Sequence, residues 1–201
     1  MNNNTISNNP YRGIWMDYGF STTMSNNTID ADYHGMTAEN GSFYNINGNS
    51  IRLHNLQQQS HERGIDFYSS ENCTISNNHI TSSSYAYYAY MIYNESWGSN
   101  AVINNNYIEN AVSSFDSLQC NFYTSSGNSY DPYRIRCIYV NDPVEIKSNT
   151  LLQHQYYRGE VIRVYQDNNA LDLTIENNHI ELYSQYDWED DQNAAIYLTN
   201  Q

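Results

Sequence analysis

One short phrase recurs seven times along the chain: an apolar residue, two more residues, and then an asparagine that never varies. The copies are Ile6-Ser7-Asn8-Asn9, Met24-Ser25-Asn26-Asn27, Ile46-Asn47-Gly48-Asn49, Ile75-Ser76-Asn77-Asn78, Ile103-Asn104-Asn105-Asn106, Ile146-Lys147-Ser148-Asn149 and Ile175-Glu176-Asn177-Asn178. The residues around that asparagine change freely. A fixed polar residue beside a fixed apolar one marks stacked coils, because each must meet its own counterpart in the next coil.

A second phrase, short, apolar and often led by glycine, precedes most copies of the first. It reads Gly13-Ile14-Trp15-Met16, Gly35-Met36-Thr37-Ala38, Gly64-Ile65-Asp66-Phe67, Met91-Ile92-Tyr93, Cys137-Ile138-Tyr139-Val140, Val161-Ile162-Arg163-Val164 and Ala195-Ile196-Tyr197-Leu198. Strand alternation places Ile14, Met36, Ile65, Ile92, Ile138, Ile162 and Ile196 inside, with their immediate neighbours outside. A third strand begins at the apolar residue closing the asparagine phrase: Ile29, Ile51, Ile80, Ile108, Leu151 and Ile180. Three repeated faces make an all-β solenoid, a parallel β-helix of about seven coils with three short strands each. The asparagines then form a ladder at one corner, each amide donating to and accepting from its neighbours.

Composition agrees with a column rather than a ball. Only 39% of residues are hydrophobic, and 21 residues are tyrosine. An ordinary globular core would be thin, whereas a solenoid needs one or two inward residues per strand. The formal charge of −14, from 22 acidic against 8 basic residues, disfavours nucleic acid, which requires clustered Lys and Arg. It equally disfavours anionic membranes, and no apolar run approaches the ~20 residues that span a bilayer. Cys73, Cys120 and Cys137 are odd in number and lack metal-type spacing, so neither a disulfide framework nor a zinc site is implied.

The phrases Asn4-Thr5-Ile6-Ser7-Asn8-Asn9 and Asn72-Cys73-Thr74-Ile75-Ser76-Asn77-Asn78 resemble the right-handed parallel β-helix of the pectin-lyase-like superfamily, with repeats similar to those of NosD-like periplasmic and carbohydrate-active proteins. The resemblance spans nearly the whole chain and implies one domain over residues 1–201. It bears on fold, since that superfamily contains lyases, hydrolases, epimerases and non-catalytic domains. NosD-like proteins are associated with copper, which directs attention to His61, His79, His154 and His179. His79 and His179 occupy equivalent positions in coils far apart, so they cannot share an ion, and the expected metal site is none.

The separation from the third strand to the next second phrase varies widely, and the longest stretch reads as an insertion at 109–134. Variable loops on one edge of a rigid scaffold commonly carry binding or catalysis. These loops are aromatic, and the candidate binding residues are Tyr88, Tyr157 and Trp188 there, with Trp15, Tyr93, Tyr139, Arg163 and Tyr197 on the outward strand face. Rings with a polar edge suit sugars, whose CH faces stack while their hydroxyls seek partners. The alternative is tyrosine ladders that pack loops onto the helix.

The candidate catalytic residues are Asp17, Glu39 and Asp66 on adjacent coils, with Arg63 and His34 just before the same strands. Carboxylates ~5 Å apart on neighbouring strands suit acid/base cleavage of a glycosidic bond, as in a glycoside hydrolase. Equally, they can hold Ca²⁺ through oxygen ligands, with an arginine as base or clamp in a polysaccharide lyase. A third reading is a solvated, self-compensating charged face. No copy of the paired-aspartate hydrolase signatures is present, and Ser129-Tyr130-Asp131-Pro132-Tyr133 lacks the histidine of the epimerase motif. The acidic stretch Trp188-Glu189-Asp190-Asp191 suits Ca²⁺, a cationic partner or plain solvation.

Met1-Asn2-Asn3-Asn4 runs into the first repeat with no charged or apolar leader, so no signal peptide is expected, and no capping segment is expected at either end. The chain therefore reads as a segment of a larger extracellular, cell-surface or virion-surface protein. Its expected partners are a polysaccharide or glycan, and flanking domains or further copies of itself at uncapped ends. Two function classes follow: a module that binds and cleaves or merely binds polysaccharide, and a non-catalytic module that stacks into a stalk or filament.

Overall fold

The computed structural model describes residues 1–9, 11–54, 61–82, 88–94, 100–111, 134–141, 144–155, 160–166, 173–184 and 194–200. All regular structure among them is β-strand, arranged in three sheets whose pairings are all parallel. The first sheet stacks Thr5–Asn9, Thr28–Ala31, Ser50–Leu53, His79–Ser82, Tyr107–Ala111, Thr150–Gln155 and His179–Ser184. The second stacks Arg12–Asp17, His34–Glu39, His61–Asp66, Tyr88–Tyr93, Arg134–Asn141, Glu160–Gln166 and Ala194–Asn200. The third stacks Thr23–Ser25, Asn45–Asn47, Thr74–Ser76, Ala101–Asn104, Val144–Lys147 and Leu173–Glu176. The chain visits the sheets in rotation, which is the expected three-faced parallel β-helix.

Each face contributes one main column to the core, with further buried residues beside it. Met24, Ile46, Ile75, Ile103 and Ile146 line the third sheet, Ile29, Ile51, Ile80, Ile108 and Leu151 the first, and Ile14, Met36, Ile65, Ile92, Ile138 and Ile162 the second; all are buried. The register pairs each residue with its counterpart, Ile14 with Met36, then Ile65, Ile92, Ile138, Ile162 and Ile196. Burying each such side chain is worth ~1.5–3 kcal/mol, which is how a hydrophobic-poor chain holds a column together.

The asparagine ladder closes the corner between the third and first sheets. The Asn27 amide donates to Asn49 Oδ1 at 2.8 Å, Asn49 to Asn78 at 2.9 Å, Asn78 to Asn106 at 3.0 Å, Asn106 to Asn149 at 3.0 Å and Asn149 to Asn178 at 2.9 Å. Each backbone N–H shares the same acceptor, and the second amide proton reaches the carbonyl of the phrase's first residue one coil back, as from Asn78 to Ile46. One copy differs from the sequence reading. The first rung is Asn4, whose amide donates to Asn27 at 2.9 Å, and Ile6 lies in the first sheet opposite Ile29. Met1-Asn2-Asn3-Asn4 is the true first copy, because position in the coil, not the letters Ile-Ser-Asn-Asn, decides which residue turns the corner.

The residue before each rung is left-handed: Asn3, Asn26, Gly48, Asn77, Asn105, Ser148 and Asn177 have φ between 53° and 66°. Asn and Gly accept that region most readily, which explains the paired asparagines.

The second sheet departs from simple alternation. Met91 and Ile92, Cys137 and Ile138, and Val161 and Ile162 are successive residues that are both buried in the core. The residues before Ile14, Met36 and their counterparts therefore do not face out, and the outward positions lie three residues apart. In the first coils the extra inward position is glycine because there is no room: a Cβ on Gly35 would sit 2.3 Å from Ile51 Cγ2. Strands occupy both edges of the range read as an insertion, 109–134, through Tyr107–Ala111 and Arg134–Asn141; its interior, with Tyr157 and Trp188, lies outside the described residues, as does the Tyr88 side chain.

Candidate functional site

The outer face of the second sheet carries two columns. One runs Arg12, His34, Arg63 and Tyr90; the other runs Trp15, Thr37, Asp66, Tyr93, Tyr139, Arg163 and Tyr197, each in register with the next. The outward residues read from the sequence thus share one line along the axis, but not one environment.

The middle of that line is closed. Thr37, Asp66, Tyr93 and Tyr139 are 0%, 1%, 4% and 5% exposed. Tyr90, Tyr93 and Tyr139 form a three-ring stack with centroids 5.0–5.2 Å apart. The Arg63 guanidinium lies 3.8 Å from the Tyr93 ring centroid and donates to Asp66 Oδ2 at 2.5 Å. Burial pushes the Asp66 carboxyl above the usual carboxylate range, and Arg63 pulls it back. Farther along, Arg163 bonds Glu160 at 3.0 Å, again three residues away, and lies 4.8 Å from the Tyr197 ring.

The beginning of the line is open. Trp15 is 56% exposed. Arg12 supports its ring, with Cζ 4.9 Å from the centroid, and its Nε1 donates to Glu39 Oε2 at 3.3 Å. Asp17 stands in register with Glu39 and accepts from the Asn40 amide at 3.0 Å. Asp66 does not join these two carboxylates, since it pairs with Thr37; two residues on, Tyr68 continues their row, next to the Asn40 N–H bonded to its carbonyl. His34 is buried beneath Tyr11, with ring centroids 5.8 Å apart. Of the expected catalytic group, Asp17 and Glu39 are neighbours at the surface, while Asp66 and Arg63 form a separate buried pair.

Past Asp17 the chain turns into the third sheet through a corner that the sequence reading passed over. Tyr44 is the latch: its hydroxyl accepts from the Gly19 N–H at 2.7 Å and donates to the Glu39 carbonyl at 3.2 Å, and a Cβ on Gly19 or Gly41 would collide with it. Outside the latch stand Tyr18, Phe20, Phe43 and Tyr68, all exposed, with Phe20 and Phe43 edge to face at 5.5 Å. Tyr18 and Phe43 are left-handed, φ 55° and 57°, a conformation that costs a bulky residue ~1–2 kcal/mol. Asn40 and Ser69, and Ser21 and Asn72, fill the corresponding left-handed positions of adjoining coils. That substitution of rings for Asn and Ser was the signal available in the sequence.

Over residues 1–135 the chain matches the family described as Periplasmic copper-binding protein (NosD). The chain belongs to the NosD family. The matched region carries the open platform and the closed stretch as far as Tyr93, and the fold is the right-handed parallel β-helix that the repeats implied. No curated protein and no solved structure matches the chain.

The family description names copper, and the described residues of this NosD chain do not fit it. Copper takes imidazole, thiolate and thioether ligands. Cys73 and Cys137 are buried in the column, and burial pushes the Cys73 thiol up to about 11 and the Cys137 thiol still higher. Met24, Met36 and Met91 are core residues. His79 packs edge-on against Tyr107 and His179 bonds Glu181; their shared column separates them by Tyr107 and Thr150, roughly 14 Å at the strand spacing. Among the described residues no group of three His, Cys, Asp or Glu side chains converges on a metal position. The side chains of His61 and His154, and all of Cys120, lie outside them.

Proposed function

We propose that this NosD-family β-helix is a carbohydrate-interacting module that binds polysaccharide on the open platform of its first coils. The observation that supports this most is Trp15: a half-exposed indole, backed by Arg12 and fixed at its edge by Glu39, beside the carboxylate of Asp17. An exposed ring held rigid in this way offers a stacking face at little entropic cost, and the carboxylates around it accept hydrogen bonds from hydroxyls. Tyr93 and Tyr139 are buried in the closed stack and do not touch the sugar. Cleavage, whether as glycoside hydrolase or lyase, would fall to Asp17 and Glu39, the surface pair in register, and the module would work at an extracellular or cell surface.

The reading is tested on a glycan array with the full chain, followed by an assay for released reducing ends. Retention of glycans by the native chain and their loss in Trp15→Ala is the expected result. Silence across neutral and acidic glycans would reject it. Released ends that persist in Asp17→Asn/Glu39→Gln would remove that pair from any chemistry.

A further inference from the structure

The four exposed rings at the corner are not explained by a platform that ends at Trp15. Along the Trp15 row the platform is shut, because Thr37, Asp66, Tyr93 and Tyr139 follow Trp15 along the axis and all are buried. Along the strand it is open. Trp15, Asp17, Tyr18 and Phe20 succeed one another on the surface of one coil; Tyr68 lies in the row of Asp17 and Glu39, and Phe43 packs on Phe20 from the next coil. Trp15 and Phe20 are five residues apart, at most about 16 Å even for extended chain, and the left-handed turn at Tyr18 brings them closer.

Two independent features mark this corner as more than a turn. The first is exposure: Tyr18 is 79% and Phe43 52% exposed, so their rings do not stabilise the core. The second is backbone strain: both are left-handed at positions where the adjoining coils use Asn or Ser. Bulky residues held in a disfavoured conformation, with their rings in solvent, indicate a role in contact with something else.

The surroundings specify its chemistry. Asp17, Glu39 and Glu71 border the rings, and Phe20, Ser42 and Glu71 are bridged in one row. These groups, with the amides of Asn40 and Asn72, accept hydroxyl hydrogen bonds and repel carboxylates. The chain's charge of −14 adds to the repulsion.

We infer that the Tyr18, Phe20, Phe43 and Tyr68 corner is a second sugar subsite continuous with Trp15, and that a neutral polysaccharide runs from Trp15 along the strand direction into this corner, not down the Trp15 row. This rests on the carbohydrate reading above and adds the path and the class of sugar.

The test titrates the full chain with neutral oligosaccharides of increasing length, and with uronate oligosaccharides of matched length, by calorimetry. Native protein is compared with Trp15→Ala, Tyr18→Asn and Phe43→Asn, with the melting temperature of each recorded. Asn tolerates the left-handed region, so Tyr18→Asn should melt at the native temperature or higher. Both corner variants should lose at least tenfold in affinity for long neutral chains while keeping native affinity for short ones, and Trp15→Ala should lose both. Native affinity for long chains in the corner variants, with loss in Trp15→Ala, would overturn the subsite and leave the carbohydrate reading standing. Uronate chains bound as tightly as neutral ones would overturn the sugar class. No binding of any glycan by the native chain would overturn both.

Discussion

Trp15 and Tyr139 occupy the same row of the same sheet, with Thr37, Asp66 and Tyr93 between them. Yet the indole is more than half exposed and the phenol is almost wholly buried. In the closed stretch, an ion pair and three stacked rings make a polar layer outside the hydrophobic column. In the open stretch, an arginine and a glutamate hold a ring out for contact. A solenoid repeats position, and what lies around each copy decides whether an outward aromatic residue is structure or surface.

The largest expected effect breaks the closed stretch. Arg63→Met leaves the buried Asp66 carboxylate without its arginine, although it still accepts from the Tyr68 N–H, and removing one partner of a buried pair costs roughly 3–5 kcal/mol. The pH dependence follows from the raised pKa of Asp66. A folded-state pKa above the unfolded one makes the group's contribution to stability full at acid pH and lost as pH rises through the folded value. Without Arg63 that value rises further, so the variant should be near native stability close to pH 4 and most impaired at neutral pH. Urea denaturation across that range checks it; a loss independent of pH would mean that the arginine acts through packing on Tyr93 alone.

A smaller effect should appear at the corner beside the open stretch. Tyr44→Phe removes the hydroxyl that joins the Gly19 and Glu39 backbones but keeps the ring in the column, for a cost of about 1 kcal/mol. Because that hydroxyl positions the turn after Asp17, the variant should lose glycan affinity more than its small melting shift suggests. Unchanged affinity would show that the corner holds its shape without the latch.

The column and the ladder were legible in the sequence because each is written many times over. Ile46, Ile75 and Ile103 recur at one position, and the asparagine after them can only be meeting its own kind. The first rung is not legible in the letters, because Ile6-Ser7-Asn8-Asn9 carries the motif one strand late, while Asn4 carries the contacts. The exposed state of the outward residues was not legible. Trp15, Asp66 and Tyr139 follow the same inward neighbour, and nothing in that local pattern distinguishes a ring over solvent from one inside a stack. The grouping of Asp17, Glu39 and Asp66 failed for a related reason: Asp66 belongs to the Trp15 row, where Arg63, three residues earlier, reaches it. The corner rings were visible as letters, but their meaning depends on φ at Tyr18 and Phe43, which sequence position alone does not display.

The most direct test compares the open and the closed stretch of the shared row. Calorimetric titration of one neutral polysaccharide should give native affinity for Tyr139→Phe and no measurable binding for Trp15→Ala, with both variants folded as judged by circular dichroism and melting within a few degrees of the native chain. Binding that survives in Trp15→Ala and disappears in Tyr139→Phe would place the ligand on the closed stretch and contradict the account.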